Sequence, residues 1–126
     1  MDFKYEIMGN DVVLVIDLFG DMDSKAVAII EKCRDEILAQ QPVKYVIFNF
    51  SKVAQVGGDA IQSWAQLQKS VRSKPAELRL CGIEEEPREK MFKYGILRTG
   101  EIAASLREAV ASITMGSRNS TARKAA

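Results

Sequence analysis

The residues best placed to do chemistry in this chain stand in one short stretch, Gly57-Gly58-Asp59. They lie where an apolar run, Tyr45 to Phe50, gives way to a helical pattern. Junctions of this kind cradle phosphates, present nucleophiles or dock partner proteins. A phosphate cradle does not fit, because the Walker spacing and its lysine are absent and Asp59 would repel the anion. Nucleophilic catalysis lacks its usual base. The chain has no histidine, which removes Ser/His/Asp and Cys/His systems and imidazole metal sites. Two readings of the junction stay open. In one, the glycines let the backbone turn out of the strand and Asp59 sits in the first helical turn, gaining about 0.3–1 kcal/mol from the helix dipole. In the other, the two glycines leave an exposed, side-chain-poor helix entrance to hold something.

Other reactive side chains point to less. Cys33 and Cys81 lie within apolar patterns and read as small core residues. Glu84-Glu85-Glu86 has the charge for a divalent cation, but consecutive helical residues point in different directions, so a solvated helix start is the better account. Asp21 and Asp23 resemble half of an acid pair with no base beside them, and capping explains them more simply. A small α/β hydrolase or phosphatase using Asp23 or Asp59 would be the enzyme reading, and it lacks both a histidine and a metal cluster. No catalytic residue, cofactor or metal is expected.

Composition sets the frame. The 126 residues, 47% hydrophobic and 28% charged, suit one globular domain. No apolar run reaches the length of a membrane span. The start, Met1 to Glu6, lacks the basic and apolar regions of a signal peptide, so a cytoplasmic location is expected. The formal charge is +1. Three of the 18 basic residues (Arg118, Arg123, Lys124) lie after Gly116, leaving 15 against 17 acids, or −2, in the body. A body without a basic stripe argues against nucleic acid as partner.

The elements that must position the junction follow from periodicity. Phe3, Tyr5 and Ile7 alternate with Lys4 and Glu6 as in a half-buried strand. Gly9-Asn10-Asp11 offers a turn into a second strand over Val12 to Leu18, making a hairpin. After Gly20 to Asp23, with Asp23 or Ser24 as cap, Val27, Ile30, Cys33 and Ile37 recur at helical spacing to about Gln40, where Pro42 ends the helix. Residues 44–50 read as a strand covered on both faces. The next helix carries Ile61, Trp64, Leu67 and Val71 on one side and Gln62, Gln66, Lys69 and Arg72 on the other, closed by Pro75. Trp64 at that spacing belongs to the core. Glu77 to Ile83 alternates as a strand. A third helix opens at Glu84 to Pro87 and closes at Gly95. A short strand near Ile102 precedes a last helix that starts with capping-box spacing at Ser105 to Glu108 and runs to about Thr114. The tail from Met115 is polar, small and basic, and is expected to be disordered. The expected architecture is a single α/β domain over residues 1–114, with a mixed, mostly parallel sheet, an N-terminal hairpin and about four helices.

This order, with several short stretches, resembles the STAS domain, the family of sulfate transporters and anti-sigma factor antagonists. "LFGDMD" (18–23) is similar to the family's Leu-x-Gly-x-Leu-Asp. "YVIFNFSKVAQVGGDAI" (45–61) resembles its central strand followed by Asp-Leu-Ser and, further on, Asp-Ser-Ser-Gly-Leu. "LRLCGI" (78–83), "KYGIL" (93–97) and "SLREAV" (105–110) fall in the places of its later strand, the Gly-Leu after its third helix, and its last helix start. The resemblance covers about residues 3 to 114 and departs at two points. Asp59 takes the place of the serine that a kinase phosphorylates in antagonists of this family, and Asn49 takes that of the strand aspartate.

The resemblance implies a non-enzymatic interaction module of the anti-sigma factor antagonist kind, whose partner in bacterial partner switching would be an anti-sigma factor serine kinase or a related regulator. The partner-binding residues would be Gly57, Gly58, Asp59, Gln62 and Ser63. Asp59 would be either a fixed, weak stand-in for the phosphorylated residue, with one charge against phosphate's about −1.5 to −2, or an architectural residue. The alternative is a soluble STAS subunit bound to an ABC-transporter ATPase in lipid trafficking. Neither membrane insertion nor nucleic-acid binding is expected, and the oligomeric state is open, a homodimer included.

Overall fold

A computed structural model describes residues 1–9, 12–39 and 43–113. Among the described residues the sheet has five strands: β1 (Asp2–Met8), β2 (Val13–Phe19), β3 (Tyr45–Lys52), β4 (Glu77–Cys81) and β5 (Ile102–Ala103). Their spatial order is their chain order, β1-β2-β3-β4-β5. Only the β1–β2 pair is antiparallel; the other three are parallel. The helices are α1 (Val27–Ala39), entered through a 3₁₀ turn at Ser24–Ala26, α2 (Asp59–Arg72), α3 (Glu85–Lys93) and α4 over 106–113.

The two faces of the sheet are covered unequally. Leu14, Ile16, Val46, Phe48, Phe50, Leu78 and Leu80 meet Ile30, Cys33 and Ile37 of α1 and Ile61, Trp64, Leu67 and Val71 of α2, and Met91 of α3 joins them. Trp64 lies at the centre of this layer, fully buried, with Phe48 and Phe50 edge-on to its ring at 4.7 and 5.1 Å. Such pairings add about 0.5–1.5 kcal/mol beyond area burial. On the opposite face, Val15, Ile47 and Cys81 are covered by Ala109 and Ile113 of α4. The expected two-sided burial of the central strand is thus present in β3.

Sequence-level expectations survive in most places and change in a few. Asp23 accepts a hydrogen bond from Lys25 N at 3.0 Å and caps the 3₁₀ entrance. Ser105 Oγ accepts from Glu108 N at 3.2 Å, and the Glu108 carboxylate accepts from Ala104 N at 3.3 Å. Gly95, at φ 72°, closes α3 in the left-handed region. The strand expected to reach Ile83 stops at Cys81. The half-buried alternation of β1 holds only at Phe3. Tyr5 and Ile7 are 40% and 38% exposed, because β1 has a partner on one side only and lies at the rim of the helix layer. Asn10 and Asp11 of the expected turn, Gln40 and Pro42 at the end of the first helix, Thr114 and the tail from Met115 lie outside the described residues.

Candidate functional site

The junction is built by backbone. Gly20 N donates to Lys52 O (3.1 Å), Met22 N to Gln55 O (2.8 Å) and Gly57 N to Met22 O (3.0 Å), so the loop after β3 is laced to the loop after β2. A single parallel bridge, Met22 to Val56, completes the lacing. Val53 and Val56 are buried beneath it. These ties are main chain and core, and among the described residues the exposed side chains of Asp59 and Gln62 take no part in them.

Gly58 makes the turn into α2. Its φ of 61° and ψ of −144° fall where residues with a side chain are strained. Its carbonyl accepts from Ile61 N at 3.2 Å, opening the helix, and no side chain caps the remaining amides. A Cβ placed on Gly57 or Gly58 would meet nothing within 4 Å. The entrance is thus open as well as bare. Asp59 follows in the first turn, exposed, its carboxylate near the positive end of the helix dipole. Gln62 and Ser63, three and four residues on, share its side of the helix. Gln62 is exposed and Ser63 half-buried, while Ala60, Ile61 and Trp64 turn inward. The structure therefore gathers the five junction residues on one patch.

Neighbours that periodicity did not reveal complete the patch. Lys90 of α3 reaches across and donates from Nζ to Val56 O at 3.3 Å, placing a cation beside the entrance. Its sequence signal, a lysine in the last turn of a helix, has an ordinary explanation in the dipole. On the other side the backbone of Met22 runs beside Val56, with exposed Asp21 next to it.

The position of Asn49 gains a physical reason. It pairs in register with Asp17 on β2. Its amide donates to Asp17 Oδ1 at 3.0 Å, and its own Oδ1 accepts from Ser51 N at 3.1 Å. A carboxylate in its place would offer Asp17 no proton and would set two like charges together. The amide is what fits beside Asp17.

The other candidate groups are engaged elsewhere or inert. The Asp23 side chain is a cap. Burial, with the Glu36 charge second, pushes the Cys33 thiol up to about 12, and burial, with Asp17 second, pushes Cys81 to about 11. Neither forms the thiolate that nucleophilic or metal chemistry needs. Among the described residues no three His, Cys, Asp or Glu side chains gather as a metal site, and no helix is long and apolar enough to cross a membrane.

Comparison with known proteins bears on the fold. The model of the STAS domain matches residues 4–109. The phosphorylated form of the Bacillus cell fate determinant SpoIIAA superposes with a TM-score of 0.67 at 20% identity, over 88% of this chain and 98% of that one. An anti-sigma factor antagonist from Mycobacterium paratuberculosis gives 0.71 at 15% identity, over 90% and 95%. A sulfate transporter family protein from Wolinella succinogenes gives 0.74 at 14% identity, over 87% and 90%. At these identities the likeness is one of fold. No curated protein sequence matches the chain.

Proposed function

The chain belongs to the STAS domain family, and on that premise we propose that it docks a partner protein through the entrance of α2, as a regulator in bacterial partner switching. STAS domains of the anti-sigma factor antagonist kind are regulatory modules without catalysis of their own. The partner of that reading is an anti-sigma factor serine kinase or a related regulator. The observation that carries it is the bare entrance: two glycines with open space above them, then exposed Asp59 and Gln62, on a loop held by main-chain bonds, buried valines and the Lys90 ammonium. A surface whose exposed Asp59 and Gln62 take no part in those ties, set at a helix start, is free to be covered by another protein.

Asp59 stands, on this reading, where a kinase would place phosphate in an antagonist of the family. Gly57 to Ala60 offer no hydroxyl, so the module is held in one state by a single fixed charge, weaker than phosphate's about −1.5 to −2.

Reversal of that charge tests the docking face. Asp59→Lys should stay folded by circular dichroism and change affinity for the partner recovered from the native organism at least about tenfold, or about 1.4 kcal/mol. Glu85→Lys, on the exposed start of α3, is the control. Equal binding by both variants and wild type would remove the junction as the docking face. Recovery of a transporter ATPase in place of a kinase or sigma-factor regulator would keep the face and overturn the pathway.

A further inference from the structure

The C-terminal half of α2 presents a second surface with a different character. Two adjoining grooves run along it and share Lys69 and Ser73 as their common wall. The first has Ala65 and Gly95 among its lining residues, with Lys69 and Arg98 beside them. The second is completed by Arg34 from α1, with Gln66 and Ser70. Among the described residues no carboxylate lines either groove, although the body of the chain carries more acids than bases.

The charge on this surface is unevenly committed. Arg72 is neutralised by Glu101, which accepts from Nε at 3.1 Å and from Nη2, both side chains being less than a fifth exposed. Arg34 lies 3.7 Å from Asp35, a loose contact. Lys69 and Arg98 are exposed, and their side chains make no hydrogen bond or ion pair among the described residues. The first groove is also firmly built. The Ile96 carbonyl accepts from Gln68 Nε2 at 2.7 Å and from Arg72 Nη2 at 3.1 Å, which fastens the segment after α3 to α2. Alanine and glycine at positions 65 and 95 leave room above it for a chain to lie close.

Two features decide which anion fits. The surface adjoins the C-terminal end of α2, where the helix dipole is negative, so a compact, multiply charged ion such as phosphate is disfavoured. The cations are spread along and across the helix on long side chains instead of converging on one point, which suits carboxylates spaced along an extended chain. We propose that this surface takes an acidic, extended segment of a partner protein, its carboxylates meeting Lys69 and Arg98 in one groove and Arg34 in the other. Lys69 is ten residues beyond Asp59, about 15 Å along the helix. The proposal does not depend on docking at the junction.

The test uses the full chain and a fluorescent peptide of alternating glutamate and alanine, read by anisotropy at low salt. Saturable binding is expected, and none to the matching glutamine–alanine peptide. The pair Lys69→Glu with Arg98→Glu should weaken binding at least about tenfold, and Arg34→Glu should weaken it by a smaller factor. Lys93→Glu, outside the grooves, should change it by less than about twofold, and Asp59→Lys should likewise leave it in place. Absence of saturable binding would overturn the proposal, as would an equal loss in Lys93→Glu, which would mark unspecific charge attraction. Binding to phosphatidylglycerol vesicles that depends on Lys69 and Arg98, without binding to the peptide, would make the surface a membrane contact and also overturn it.

Discussion

The two ends of α2 are built on opposite plans. At its start, glycines and main-chain hydrogen bonds fix the path of the chain, and the one side chain the described residues tie to the entering loop is Lys90, on the Val56 carbonyl. From its middle onward, side chains are linked in series. Trp64 Nε1 donates to Gln68 Oε1, Gln68 Nε2 donates to the Ile96 carbonyl, and Arg72 donates to that same carbonyl while holding Glu101. Gln68 is fully buried with both its donor and its acceptor used, which is the condition under which a buried polar group does not destabilise. The contrast teaches how one helix serves two purposes. Its C-terminal half is anchored by bonds that demand particular side chains, and this lets its N-terminal turn keep an outer surface that demands none.

The largest break in that comparison should come from the anchored half. Trp64→Ala removes the ring between Phe48 and Phe50 and the donor to Gln68, and should cost about 3–5 kcal/mol, read as a lowered midpoint in urea denaturation. The adjacent glycines should sharpen the comparison at the other end, with opposite signs. Gly58→Ala forces a side chain into a positive-φ backbone and should cost about 1–3 kcal/mol although nothing stands in its way. Gly57→Ala, without a positive φ and with the same open space, should be neutral or stabilise by about 0.4–1 kcal/mol. Equal effects at the two positions would show that backbone torsion does not set the turn. The smallest effect is expected from the thiols. With Cys33 and Cys81 raised to about 12 and 11, mainly by burial, alkylating reagents at mildly alkaline pH should modify the native protein slowly and the unfolded chain fast. The sign of the linkage follows. Stability is intact below the ordinary thiol value of 9.0 and falls as pH rises toward about 12, because the unfolded thiols ionise first.

Much of the fold was legible because its periodicities are local. The apolar run of β2, the continuous apolar run of β3 and the stripe of Ile61, Trp64, Leu67 and Val71 each carry their own burial pattern. The exposure of Tyr5 and Ile7 was not legible, since alternation in β1 says which side chains share a face and not whether a helix reaches that face. Arg72 read as part of a solvated side, and its tie to Glu101, 29 residues away, depends on tertiary structure alone. At the junction, the glycines announced an unusual turn, and the helix period placed Asp59, Gln62 and Ser63 together. The approach of Lys90 and the meeting of Arg34, Lys69 and Arg98 around α2 were not legible, because each residue sits where a solvated charge would be ordinary.

The sequential strand order also governs what a growing polypeptide can bury while it is being synthesised. Each strand finds its neighbour already made, so the sheet can extend at one edge without a segment being threaded between finished parts. The side that Val15, Ile47 and Cys81 present to α4 follows a different timetable. Those strands are complete long before residues 106–113 leave the ribosome, so an apolar strip stays wet until synthesis is nearly over. A chain stalled or cleaved before α4 would keep that strip exposed, and such a fragment is the form of this protein most prone to stick to other chains.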